Sequence, residues 1–194
     1  MPVKRYNGTS WEVIAGDGVV GAQGASGTNG IDAGATLLST TTLSGSTTTI
    51  SSISQSYKNL VIQVYGITAS ADGYITFRPN ASTTICDYSG AYNEATIGTG
   101  IFANASSTFN MGIAAAQFLS TSDANSFTIN IQNYSDTTAY KPFTYVGGYV
   151  DNASKLCSGS GGGQIKTTSA ISSVVFNSGA NTMSTGTVKI YGVN

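Results

Sequence analysis

The sequence has no histidine among its 194 residues. Histidine is the commonest general base and metal ligand near neutral pH, and Ser-His-Asp and Cys-His catalytic sites require it. Charged residues are also scarce, at 9% of the chain with a net charge of −1. Without a cluster of lysines or arginines, we expect no nucleic-acid partner.

The few acidic residues give little support to catalysis. Most of those after residue 35 stand beside Gly, Asn or Ser in apparent turns, where a carboxylate usually caps a backbone amide or is solvated. They are Asp72, Asp87, Glu94, Asp123, Asp136 and Asp151. A glycosidase needs two carboxyl groups facing each other, and a calcium loop needs an Asp-x-Asp spacing that is missing here. We therefore predict no enzyme, no catalytic residue, no metal and no cofactor.

Long apolar runs and abundant cysteine are missing as well. No run approaches the ~20 residues of a membrane span, and residues 1–7 lack the apolar core of a signal peptide. We expect a protein that is made in a cytosol and does not bind a membrane. Cys86 and Cys157 are the two cysteines. A pair between them is one alternative, but a reducing cytosol favours two free thiols.

Glycine, in contrast, is abundant and in one segment periodic. Between residues 18 and 30 it returns at every third position: Gly18, Gly21, Gly24, Gly27 and Gly30. Only glycine fits at the crowded axis of a collagen triple helix, so this period predicts three chains side by side. We interpret residues 18–34 as a short trimeric neck, and a flexible linker is the alternative. Because the run has no proline, a larger domain must hold the trimer together.

The first 17 residues predict a small β-hairpin. Two short strands, 4–6 and 11–14, flank Asn7-Gly8, which is a strong tight-turn signal. A hairpin of this size is not stable alone in water, so we expect it to attach to a partner. The predicted attachment residues are Tyr6, Trp11, Val13 and Ile14. Trp11 is the natural anchor, unless it only covers the hairpin.

From about residue 35 the hydrophobic pattern changes to period two, which is typical of strands. Residues 60–65 are apolar on both faces and predict a central strand, while 127–131 alternate cleanly. Residues 143–149 predict another strand, with a bulge or a close backbone approach at Gly147-Gly148. Further runs occur at 47–51, 75–77, 174–176 and 188–190. The prediction is an all-β, antiparallel, jelly-roll-like β-sandwich over residues 35–194.

Two polar segments of this domain are predicted as loops. Residues 158–163 are rich in glycine and lack the lysine of a phosphate-binding loop, so we expect a mobile loop. Residues 87–93, extending toward Phe102, set tyrosines among Ser, Gly and Asn, a composition typical of adaptable binding loops. The candidate ligand-binding residues are Tyr88, Tyr92, Asn93 and Phe102, with a sugar as the ligand. Alternatively, the tyrosines pack onto the sandwich or line a contact between domains.

The order of these parts resembles a known class of proteins. The segment Tyr6-Asn7-Gly8-Thr9-Ser10-Trp11 followed by glycine triplets is similar to the N-terminal part of bacteriophage fibre, head-fibre and capsid-decoration proteins. Residues 57–62, 74–80, 131–135 and 186–193 are similar to stretches of phage fibre knobs. The resemblance implies a virion-attachment hairpin over 1–17, a collagen-like neck over 18–34 and a β-sandwich head over 35–194.

That resemblance also implies a function. It predicts a non-enzymatic, homotrimeric structural protein on the virion surface, synthesised in the host cytoplasm and bound to the major capsid protein or to a tail adaptor protein. The small size of the anchor favours a capsid decoration protein or a head fibre. The alternative is a receptor-binding tail fibre that recognises a host surface polysaccharide.

Overall fold

The computed structural model describes residues 3–15, 34–94, 98–111 and 120–194. The chain divides into two compact units, Met1–Ala33 and Gly34–Asn194. Within the described ranges the structure is all-β, and every pair of neighbouring strands is antiparallel. The described residues include no helix long and apolar enough to cross a membrane. The predicted neck and its glycines Gly18, Gly21, Gly24, Gly27 and Gly30 lie outside the described residues.

The first unit contains strands β1 (Val3–Tyr6) and β2 (Trp11–Ala15), which pair with Tyr6 opposite Trp11. The Asn7 side-chain oxygen holds the connection by accepting hydrogen bonds from the backbone amides of Thr9 at 3.0 Å and Ser10 at 2.8 Å. Gly8 has a φ of +100°, a conformation that side chains disfavour. The Asn-Gly pair therefore shapes this turn through both a side-chain bond and a backbone angle.

The second unit, the head, contains twelve strands. They are β3 (Thr36–Thr42), β4 (Thr47–Ile50), β5 (Asn59–Ala69), β6 (Thr76–Pro79), β7 (Cys86–Glu94), β8 (Gly98–Ser107), β9 (Phe109–Asn110), β10 (Ser126–Ile131), β11 (Lys141–Val150), β12 (Leu156–Ile165), β13 (Val174–Asn177) and β14 (Met183–Val193). One sheet has eight strands in the order β3-β14-β5-β10-β11-β12-β7-β8. The other has four, in the order β4-β13-β6-β9.

Strand β5 shows how the sequence pattern places a strand. It pairs with β14 on one side and β10 on the other, so the predicted central position is confirmed. Leu60, Ile62 and Val64 are buried, whereas Gln63 and Tyr65 on the opposite face are exposed. Only one face of the sheet is buried along this strand, although apolar residues occur on both.

Aromatic side chains fill the space between the two sheets. Phe109 of the four-stranded sheet lies with its ring centroid 4.6 Å from that of Tyr145 and 5.6 Å from that of Phe143, both on β11 of the eight-stranded sheet. Phe77 and Phe176 extend this contact within the four-stranded sheet at 5.7 Å. The predicted all-β, antiparallel architecture is confirmed, and its two packed sheets agree with a β-sandwich.

The eight-stranded sheet has two halves of different composition. Strands β3, β14, β5 and β10 form one half, and β11, β12, β7 and β8 form the other. We call the second the glycine-rich half, because the register of β12 on its neighbours brings Gly159, Gly161 and Gly163 against β7. This half contains both polar segments that the sequence predicted as loops.

Candidate functional site

Strand β12 corrects the prediction of a mobile loop at residues 158–163. These residues form the middle of a ten-residue strand that pairs with β11 and β7 along its length. A Cβ atom on Gly161 would lie 2.1 Å from the Ser89 carbonyl oxygen, and one on Gly163 would lie 2.0 Å from that of Asp87. Glycine is needed here because neighbouring backbone approaches too closely for a side chain.

The Tyr145 hydroxyl occupies the space left by Gly90 on β7 and Gly161 on β12. A Cβ atom on Gly90 would meet the hydroxyl oxygen at 2.3 Å, and one on Gly161 would meet it at 2.4 Å. The hydroxyl donates to the Ser89 carbonyl oxygen at 3.3 Å. Burial raises the pKa of Tyr145, so the phenol keeps its proton at physiological pH. The glycine-rich half is therefore closely packed on its inner face.

The predicted ligand-binding loop at residues 87–93 is also a strand, β7. Tyr88 is 5% exposed and points into the core, with its ring 5.0 Å from that of Phe109. Its hydroxyl oxygen accepts a hydrogen bond from the Asn110 amide at 3.2 Å. For Tyr88, packing onto the sandwich, one of the alternatives, is what the structure shows. An inward-facing ring is not accessible for stacking on a sugar.

The described candidate residues do not form one accessible surface, because Tyr92 faces inward like Tyr88 whereas Asn93 faces outward. Tyr92 is half-buried against the core, and its ring fills the position that a Cβ atom on Gly100 would need. Asn93 is exposed on the opposite face of β7 and accepts a hydrogen bond from the Thr99 hydroxyl at 2.7 Å. Phe102 lies on β8 opposite Gly90, and its side chain is outside the described residues. Because neighbouring residues of a strand alternate between faces, a loop-like cluster does not form.

The outer face of the glycine-rich half carries a shallow polar groove of about 550 Å³. Its lining residues are Asp87, Tyr88, Ser89, Asn104, Pro142, Gly162, Gly163 and Gln164. The Asp87 carboxylate pairs with Lys166 at 2.9 Å and accepts a hydrogen bond from the Gln164 amide at 3.3 Å. The volume is in the range of small-molecule sites, and the groove offers hydroxyl, amide and carboxylate groups to a polar ligand.

A row of small and apolar side chains crosses the same outer face. Ile101 on β8 lies opposite Ala91 on β7, which lies opposite Ser160 on β12, which lies opposite Val146 on β11. Ile101 is 87% exposed, Val146 54%, and Leu156 at the start of β12 is 64% exposed. None of these three residues was among the predicted site residues. The signal that could have found them is the alternation of β7, β8 and β11 once each is recognised as a strand.

In the first unit, two predicted attachment residues form an exposed pair. The rings of Tyr6 and Trp11 are 5.3 Å apart, and the two residues are 53% and 66% exposed. Val13 pairs with Lys4 across the two strands, and Ile14 follows it in β2. The side chains of Val13 and Ile14 are outside the described residues. The structure thus places an accessible aromatic patch on a unit of its own.

A thiol and two carboxyl groups meet where β7 ends and β12 begins. Candidate ligand atoms of Glu94, Asp151 and Cys157 all lie within 4.8 Å of one another. One Asp151 carboxylate oxygen accepts the backbone amides of Ala153 at 2.9 Å and Lys155 at 2.7 Å, so it already closes the β11–β12 turn. Burial raises the pKa of the Cys157 thiol, and the two carboxylates raise it further. The Asp151 carboxylate of this cluster therefore has a structural role in the turn.

Both cysteines are free and buried. Cys157 pairs with Glu94 and Cys86 pairs with Ile165, so eight residues of β12 separate them. At about 3.3 Å per residue this places their α-carbons roughly 26 Å apart, far beyond the reach of a disulfide. The expectation of two free thiols therefore holds in the structure, on geometry alone.

Comparisons of the chain with protein-family models, with curated proteins and with solved structures return no match.

Proposed function

We propose that this chain is a non-enzymatic, homotrimeric virion structural protein of a bacteriophage, a capsid decoration protein or a head fibre. The strand order of the head carries the proposal. Eight strands numbered along a jelly roll form sheets in the orders 1-8-3-6 and 2-7-4-5. Taking β3, β4, β5, β6, β9, β10, β13 and β14 as those eight, the orders β3-β14-β5-β10 and β4-β13-β6-β9 follow the same scheme.

The remaining strands fit this scheme as two insertions. The hairpin β7–β8 enters between β6 and β9, and the hairpin β11–β12 enters between β10 and β13. Together they lengthen one sheet into the glycine-rich half and leave the eight-strand core intact. Jelly rolls are the architecture of many viral capsid domains and of lectins, so the scheme favours a structural or binding protein over an enzyme.

The glycine period supports the trimeric part of the proposal. Five glycines spaced by three suit a collagen-like neck, which requires three chains. Without proline the neck is poorly preorganised for a triple helix, so in this proposal the heads hold the three chains together. The trimer then carries three copies of the exposed Tyr6–Trp11 pair.

Three copies of a weak anchor suit attachment to a symmetric particle. Once one hairpin binds, the second and third bind as intramolecular events at high effective concentration. The partner in this proposal is the major capsid protein, with a tail adaptor protein as the alternative, and the location is the virion surface. A two-stranded anchor is small, which favours the capsid over the tail.

The proposal is tested by two measurements on the complete chain. Static light scattering is expected to give a molar mass threefold that of one chain, and a single-chain mass would contradict the proposal. Particles produced with and without the protein are then heated and their genome release is compared. A decoration protein raises the release temperature, and equal temperatures would argue against a capsid role.

The polar groove favours a second candidate, a receptor-binding fibre whose head recognises a host surface polysaccharide. Asp87, Gln164 and Ser89 offer the carboxylate, amide and hydroxyl groups that bind sugar hydroxyls. The test is binding of the purified protein to an array of bacterial surface polysaccharides, with Gln164→Ala as the variant. Specific binding that the variant loses would support the fibre. The inward orientation of Tyr88 removes the ring-stacking contribution and makes this the weaker candidate.

A further inference from the structure

We propose that the outer face of the glycine-rich half is the contact between heads in the homotrimer, and that a second copy of this chain covers it. This inference rests on the proposed trimer and adds the surface that forms it. Four observations lead to it: the charge of the face, its exposed apolar side chains, the character of its edge strand and its area.

The face is almost without charge. Alternation along the four strands places the following residues outward: Asp87, Ser89, Ala91, Asn93, Thr99, Ile101, Ala103, Pro142, Thr144, Val146, Gly148, Leu156, Ser158, Ser160, Gly162 and Gln164. Asp87 is the one charged residue among them, and its ion pair with Lys166 balances it. Depletion of charge is a feature of the buried part of protein interfaces.

The most exposed large apolar side chains of the described head lie on this face. Ile101 at 87%, Leu156 at 64% and Val146 at 54% exceed the exposure of every other such residue there. Ala91 and Ser160 between Ile101 and Val146 are small, so a partner can approach the backbone closely. Small residues bounded by large apolar side chains suit close packing against another protein surface.

The edge strand β8 lacks the usual protection of a free edge. In the described part of the chain it pairs with β7 alone, and its sequence from Gly98 to Ser107 has no charged residue and no proline. Soluble proteins normally place lysine, proline or a covering segment at a long edge strand, because an open edge promotes association. An uncharged edge beside Ile101 is therefore expected to be covered in the assembled protein.

The area is close to what a stable contact needs. Four strands spaced about 4.8 Å apart and ten residues long at about 3.3 Å each cover roughly 600 Å². A standard protein–protein contact buries about 800 Å² on each partner. The face and its edge together approach that size, so a contact between copies does not require a large additional surface.

The other half of the same sheet provides the contrast. The row that contains Ile101 and Val146 continues through Thr128 and Gln63 to Lys189, whose ammonium lies 5.8 Å from the centre of the Tyr65 ring. Polar and charged groups make this half suitable for solvent. In the described part of the glycine-rich half the Tyr88 ring points inward, so it does not stack on a saccharide. A second copy of the chain is thus the occupant that the observations favour.

The test introduces a charge into the face of the complete protein. Ile101→Asp and Val146→Asp each bury a carboxylate in the proposed contact, so we expect the molar mass by light scattering to fall threefold. Gln63→Asp places the same group at an outward position of the other half and is expected to remain trimeric. Far-ultraviolet circular dichroism and the unfolding temperature establish that each variant is folded, and two variants guard against misfolding of one.

The possible results separate the surface from the trimer. If the parent protein is trimeric and both folded variants stay trimeric, the proposed contact is wrong and the trimer stands. If the parent protein is a single chain in solution and on particles, the trimer itself is wrong and the contact falls with it. If the variants stay trimeric but no longer bind the polysaccharide array, the face is a saccharide site, and the inference is overturned in favour of that role.

Discussion

At the scale of the residue, glycine in β12 acts through the space it leaves rather than through its flexibility. Gly161 and Gly163 have no positive φ, and a Cβ atom on either would lie within about 2 Å of a backbone oxygen of β7. The backbone of β7 cannot move away without breaking the pairing on its other side with β8. These positions therefore tolerate no side chain.

Two glycine-to-alanine variants of this half should therefore differ in stability. Gly161→Ala places a methyl group 2.1 Å from the Ser89 carbonyl oxygen, so we expect the free energy of unfolding to fall by about 1–3 kcal/mol. Gly148→Ala in the same half meets its nearest atom at an ordinary 3.4 Å and should change stability by less than about 0.5 kcal/mol. Urea unfolding measures both, and equal losses would contradict the close-approach argument.

The two thiols give a second prediction at this scale. Burial raises the pKa of Cys86 to about 12, and burial raises that of Cys157 as well. Because the thiolate is the reactive form, the folded protein should not react with an aromatic disulfide reagent at about pH 8. After denaturation both cysteines should react. Rapid reaction of the folded protein would show that at least one thiol is accessible.

At the scale of the element, Lys141 sets the start of β11. Its side chain is fully buried, and its ammonium donates to the carbonyl oxygens of Ala139 at 2.9 Å and Thr167 at 2.8 Å. It thereby joins the segment before β11 to the segment after β12. A buried lysine at the first residue of a strand is unusual, and here it satisfies two backbone acceptors from different loops.

Replacement of this lysine by methionine tests its role. Lys141→Met keeps the length of the side chain but removes the donor to the Ala139 and Thr167 carbonyl oxygens, so we expect a loss of about 1–3 kcal/mol in the free energy of unfolding. Lys58→Met, at an exposed position, is the matched control and should have little effect. Thermal and urea unfolding report the difference. If the two variants behave alike, the carbonyl contacts contribute nothing measurable.

The strands also show what sequence alone can predict. The sequence predicts β10 from the alternation of Phe127, Ile129 and Ile131, because such alternation is a property of one strand that packs one face against one core. Residues 158–163 have the composition of a linker, and nothing in the sequence of β12 itself indicates that they form a strand instead. Their need for glycine comes from the backbone of β7, which lies far earlier in the chain. Close approach between distant segments is invisible to a local pattern.

The prediction of a ligand-binding loop at residues 87–93 was wrong for a related reason. Tyrosines among Ser, Gly and Asn are typical of binding loops, but the same residues also fit a strand whose small positions face out. Tyr88 belongs to the aromatic core, and its partner Phe109 comes from a different sheet. Recognition of that contact requires the sandwich itself, so the sequence predicted the sheets better than the surface they present.

At the scale of the whole molecule, the two compact units have separate roles in the proposed function: the first attaches the protein, and the head holds the trimer together. Unit Met1–Ala33 contains the exposed Tyr6–Trp11 pair, and the head contains its own complete core. Substitutions in the first unit should therefore leave the unfolding of the head unchanged. This separation allows attachment and head stability to be measured independently.

The corresponding prediction concerns Trp11→Ala. Removal of an interface tryptophan typically costs about 2 kcal/mol or more per site, and three copies multiply the effect on binding to particles. We expect a large loss of particle-bound protein in a sedimentation assay, with the unfolding temperature of the head unchanged. Tyr140→Ala removes an exposed aromatic of the head and should leave attachment intact. Undiminished attachment of Trp11→Ala would mean that Trp11 only covers the hairpin.

The position of β14 has a consequence for biosynthesis. This strand, the last in chain order, lies between β3 and β5, so Thr36 at the start of the head is next to Gly192. Until β14 is synthesised, the nascent polypeptide has an open slot in its largest sheet, with unpaired backbone groups of β3 and β5 on either side. Closure of the sheet must await the emergence of β14 from the ribosome. Chaperones that shield those two edges should therefore raise the yield of folded protein in a cell-free translation reaction.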